Sequence, residues 1–119
     1  MLDIILIQHI DTGINLLEYE QDHTSFDKNH SDIFSGFLSA IQNISSELNI
    51  GTVVLISTEG SRGHNCIIIQ RYPINIILLV DKADHIDVWR ETGQEIANRF
   101  IEKYGKKIDS SYVSQYNDF

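Results

Sequence analysis

One cysteine in 119 residues, Cys66, excludes an internal disulfide. It heads an apolar run, CIII, where a buried, inert thiol is the expected state. Basic residues are scarce: nine Lys and Arg stand against seventeen Asp and Glu, and the formal net charge is −8. A surface of that sign repels phosphate backbones and anionic lipid, so neither nucleic acid nor a membrane surface is an expected direct partner. No apolar run approaches the roughly 18 residues needed to span a bilayer. The strand-like opening MLDIILIQHI carries no basic leader or cleavage site. These absences lead to the expectation of a cytoplasmic chain that meets membranes only through partners.

What is present points to one globular domain. The apolar share is 42%, enough for a core without staples. Isoleucine is concentrated in short runs, and β-branched side chains favour the pleated surface of strands. Acid gathers near one end: Asp11, Glu18, Glu20, Asp22, Asp27 and Asp32 face only Lys28, a distribution that attracts a basic partner patch.

Residues 2–10 read as a strand buried on both faces, because Ile4, Ile5, Leu6 and Ile7 are consecutive. Asp11-Thr12-Gly13 reads as a hairpin turn, and residues 14–20 as an edge strand with a half-solvated face. A polar loop follows over 21–30, with Phe26 as its anchor. Asn29 or Ser31 then caps a helix to about Leu48, stopped by Asn49 and Gly51. Residues 52–58, 64–71 and 74–80 read as three more strands, with turns at 59–63 and Tyr72-Pro73. Asp84 caps a second helix, which ends near Tyr104 at Gly105 and two lysines.

The order is ββαβββα, an α/β (α+β) class in which hairpins make neighbouring strands antiparallel. Three strands apolar on both faces require one helix on each side of the sheet. The domain is expected over 1–105. Residues 106–119 form a polar tail of low periodicity, with mobility as one expectation and docking through Tyr112, Val113, Tyr116 and Phe119 as the alternative.

The two helices differ. On a wheel of about 100° per residue, Ile33, Phe34, Phe37, Leu38, Ile41, Ile44 and Leu48 fall in one arc, the expected core face. The opposite arc holds Ser35, Gly36, Ser39, Gln42, Asn43 and Ser46, with Ala40 and Glu47 at its margin; it is polar, small and almost uncharged. The second helix buries Trp89, Gly93, Ile96, Ala97, Phe100 and Tyr104 and carries an ordinary charged outer face. Small, charge-free residues lower the desolvation cost of contact. Ser35, Gly36, Ser39, Ala40, Asn43, Ser46 and Glu47 are therefore the candidate interface, with an indifferent polar surface as the alternative. Thr52, Val54 and Ile56 of the third strand join them, since no Lys or Pro guards that strand as an edge. A strand merely covered by helices is the alternative there.

Catalytic and ligating motifs are poor. Gly60-Ser61-Arg62-Gly63 joins two strands, so no helix N-terminus follows it to hold phosphate. Asp81, Asp84, His85 and Asp87 lack the glycine and terminal glutamate of a calcium loop. His64 and Cys66 share a strand face, but two ligands do not complete a zinc site. His9, His23 and His30 read as scattered surface residues. No enzyme, cofactor or metal is expected.

In element order and hydrophobic spacing, residues 2–105 resemble the longin-like and roadblock-like domains of the profilin-like α/β/α type, longin more than roadblock. The chain starts on a strand, whereas roadblock domains usually begin with a helix, and little sequence remains for the C-terminal helix common in longin domains. The resemblance implies a five-stranded sheet of order 2-1-5-4-3 whose third strand is an edge beside the first helix. It implies dimerisation through that strand and helix, as a homodimer or with a similar domain. It also implies non-catalytic work as a scaffold or regulator of small Ras-like GTPases, or in vesicle-traffic and motility complexes. The isoleucine-rich composition looks archaeal. The rival expectation is a PAS-like or profilin-like module sensing a small molecule or peptide; the expected core offers it few polar anchors.

Overall fold

A computed structural model describes residues 2–20, 28–61 and 63–108. The expected loop anchor Phe26, the acidic Asp22 and Asp27, His23, Arg62, and the docking residues Tyr112, Val113, Tyr116 and Phe119 lie outside the described residues.

Seven elements follow the expected order: β1 (Leu2–His9), β2 (Asn15–Glu20), α1 (Lys28–Glu47), β3 (Leu55–Ser57), β4 (His64–Arg71), β5 (Ile74–Asp81) and α2 (Ile86–Ile108). The strands form one antiparallel sheet of order β2-β1-β5-β4-β3. Gly13, at φ 72°, turns the first hairpin, a backbone state that costs glycine little.

Strand alternation sends the isoleucine runs to two separate cores. On one face Ile67, Ile69, Ile76, Leu78 and Val80 pack under Ala97, Phe100 and Tyr104 of α2. On the other, Ile4, Leu6, Cys66, Ile68 and Ile77 pack against Leu38, with Phe34 beside them, on α1. The helices thus cover both faces, as the doubly apolar strands require. Gly93 lets α2 approach closely: a Cβ there would stand 2.1 Å from Ile69 Cδ1.

Three boundaries differ from the sequence expectation. Helix α1 starts at Lys28, so Asn29 and Ser31 lie within it rather than capping it. Helix α2 continues through Gly105 to Ile108, and Asp84, two residues before its start, accepts the Trp89 indole N–H at 3.1 Å. Strand β3 has three residues instead of seven. Its N-terminal side is diverted toward α1: Gln42 Nε2 donates to Val53 O at 2.9 Å, and Val53 N–H donates to Gln42 Oε1 at 3.0 Å.

Helix α1 also corrects the wheel. Ile33, Phe37, Ile44 and Leu48, expected in the core, are 71%, 51%, 56% and 62% exposed. The buried positions are Leu38, Ser35 and Ser45, with Phe34, Ile41, Ser39 and Gln42 half-buried. The apolar arc spans about 140°, wider than one face of the sheet covers. Polar contacts decide which part turns inward. Ser35 Oγ donates to Asn15 Oδ1 at 2.9 Å, and Gln42 binds Val53 at two points.

Candidate functional site

The exposed part of α1 is an apolar stripe. Ile33, Phe37, Ala40, Ile44 and Leu48 recur at spacings of three and four, within about 80° of the wheel. Ile50 and Val54, also exposed, continue the apolar surface from the helix end toward β3. Soluble monomers rarely leave such contiguous apolar surface to water.

Strand β3 is an edge of the sheet. Ile68 N–H donates to Val54 O at 3.0 Å and Thr58 N–H donates to His64 O at 2.9 Å. Antiparallel alternation then turns the main-chain groups of Leu55 and Ser57 away from β4, toward the open edge. Apolar helix stripe and hydrogen-bonding edge meet along one side of the molecule.

Of the sequence-predicted residues, Gly36, Ala40, Asn43, Ser46, Glu47, Thr52 and Val54 are exposed, and Ser39 and Ile56 are half-buried. Ser35 faces inward, bonded to Asn15, because a short hydroxyl can satisfy a polar atom at the sheet margin where an aliphatic residue cannot. The strongest exposed residues, Phe37, Ile33 and Ile44, were assigned to the core by the wheel. Arc width is the signal that marks them: a stripe wider than one packing face leaves residues over.

The remaining motifs stay apart from this surface. Cys66 is buried, and burial pushes its thiol up to about 12, so it is no nucleophile at neutral pH. His64 Nε2 lies 3.6 Å from Asp81 Oδ1 across the β4–β5 pair. Among the described residues, no group of three His, Cys, Asp or Glu is arranged to hold a metal ion. No described helix is long and apolar enough to cross a membrane.

One feature was missed by sequence. A cavity of about 290 Å3 lies between the hairpin turn, α1 and the sheet. Its floor includes Gln8, Asn75 and Gln70, which the register aligns across β1, β5 and β4. The expectation of few polar anchors is corrected there, because side chains far apart in sequence converge only through strand pairing.

A scan of family models finds no match to the sequence, and a search of curated proteins finds none. Solved structures do match. MglB of Myxococcus xanthus superposes with a TM-score of 0.60 at 9% identity, over 86% of this chain and 85% of that one. A Roadblock/LC7 domain from Streptomyces avermitilis gives 0.56 at 12% identity, over 87% and 84%. Identities this low carry fold information alone, and the fold is unambiguous in element order and strand order: the chain has the longin/roadblock-like fold.

Proposed function

We propose that the chain is a non-catalytic protein-interaction domain that pairs with a second copy of itself through the α1 stripe and the β3 edge. The observation that carries this reading is the exposure of Ile33, Phe37, Ile44 and Leu48 beside a strand edge that is unpaired among the described residues. A second copy fits because the surface is self-complementary. Two β3 edges related by a two-fold axis pair antiparallel, and the same axis lays one α1 stripe against the other. The centre of this surface is poor in charge; Glu47 stands at its margin, so little desolvation opposes contact. Ala40 lies in the stripe and Val54 extends it; the exposed Gly36, Asn43, Ser46 and Thr52, with half-buried Ser39 and Ile56, form its rim. A similar domain in place of the second copy would use the same surface.

The paired domain then serves as a scaffold or regulator for small Ras-like GTPases or vesicle-traffic complexes, working in the cytoplasm and reaching membranes through partners. The longin/roadblock-like fold supports that choice of partner class.

Light scattering coupled to size exclusion tests the pairing. The wild-type chain should run at twice its mass, and the Phe37→Glu, Ile44→Glu double variant at its single mass. Circular dichroism and Tm should stay near wild type, since exposed substitutions cost about 0.5 kcal/mol or less. A wild-type chain monomeric at every concentration sinks the reading. Ras-like GTPases loaded with GDP or a GTP analogue test the partner: binding by the dimer supports it, and no binding in either state removes the GTPase role.

A further inference from the structure

The cavity beside the hairpin turn adjoins the proposed interface, sharing Ser39 and Asn43 with its rim, but its floor lies on the sheet. Gln8, Asn75 and Gln70 lie on adjacent strands and point to the α1 side, sharing their strand faces with Leu6, Ile77 and Ile68 respectively. Three neighbouring strands span about 10 Å, so the three carboxamides form a short row. The centre of the row holds an unpaired group: Asn75 Oδ1 is buried and has no hydrogen-bond partner among the described residues. A buried acceptor without a donor costs free energy, and a bound molecule that donates to it removes that cost. Gln8 is fixed from behind, with its Nε2 donating to Asn15 Oδ1 at 3.0 Å.

The walls define the ligand's charge and shape. No Lys or Arg lines the cavity among the described residues, and Asp11 does, so anions are disfavoured. Leu38, Ile68 and Ile77 add apolar surface on which a flat ring can rest. A carboxamide offers one donor and one acceptor side by side, the pattern that reads planar amide and amidine edges in bidentate fashion.

We propose that this cavity binds a compact, uncharged, planar molecule of the nucleobase class, held by Asn75 and Gln70 with Gln8 completing the row. The hairpin turn closes one side; Gly13 comes so near Ser39 that a Cβ would stand 3.1 Å from its hydroxyl.

Amide NMR titration with free adenine, free uracil and citrate tests it. Adenine or uracil should shift the Gly13, Ser39 and Asn75 signals saturably, with Kd below about 1 mM, and citrate should not. Asn75→Leu should weaken binding at least about tenfold while Tm holds or rises, since an unpaired buried acceptor is removed. Gln70→Leu, at an exposed position, should weaken binding without unfolding the chain. Absence of saturable shifts with both bases, equal binding of citrate, or wild-type affinity in both variants overturns the proposal.

Discussion

Gln42 grips both main-chain polar groups of Val53, donating from Nε2 to the carbonyl at 2.9 Å and accepting the amide N–H at Oε1 at 3.0 Å. A helix side chain thereby takes the place of a strand neighbour. The contact shortens β3 and sets the rotation of α1 at once. Gln42→Leu keeps the side chain's bulk but leaves both Val53 groups unanswered, at a cost of about 1–3 kcal/mol. Urea unfolding measures it; a cost under about 0.5 kcal/mol would show that the bridge does not hold the helix.

Gly93 sits where α2 presses on β4, with Ile69 Cδ1 and Leu78 Cδ1 at 2.1 and 3.1 Å from the place of its missing Cβ. Gly93→Ala gains about 1 kcal/mol of helix propensity and loses about 1–3 kcal/mol to overpacking. Because Ile69 is buried and cannot swing aside freely, a net loss of about 1 kcal/mol is expected. Ile69→Val removes the offending methyl, so the double variant should show a favourable coupling of about 1 kcal/mol. Additive effects in the double-mutant cycle would contradict this account of the packing.

Cys66 has its thiol raised from 9.0 to about 12 by burial. The folded state therefore holds its proton more tightly than the unfolded chain. The resulting stability is fully present below pH 9.0 and is lost as pH rises toward about 12. Each pH unit inside that window removes up to about 1.4 kcal/mol through this group. Cys66→Val lacks the group, so the stability difference between variant and wild type should change with pH only above 9.0. Parallel slopes for the two proteins between pH 9 and 11 would show that the thiol does not titrate differently on folding. At pH 8 the native thiol should also resist alkylation until the chain is unfolded.

Much of the fold is legible without coordinates. Runs such as Ile67–Ile69 and Ile76–Leu79 are apolar at every position, which only a strand covered on both faces can satisfy. Turn residues such as Gly13 place the hairpins, and the apolar face of α2 matches its burial. The site is less legible. The wheel of α1 locates an apolar arc but does not say which part of it meets the sheet, because periodicity carries no information about the partner surface.

By itself, then, the sequence determines the number and order of elements, the two-sided sheet and the excess of apolar surface on α1. Each follows from local chemistry: β-branched runs, turn residues and a 3.6-residue period. Tertiary structure alone decides how α1 is turned, how long β3 runs and what lines the cavity. Those depend on meetings between residues distant in the chain, Ser35 with Asn15, Gln42 with Val53, Gln8 and Gln70 with Asn75. A buried polar atom must find its partner wherever the fold offers one, and that demand rotates a helix whose hydrophobic arc would accept several orientations.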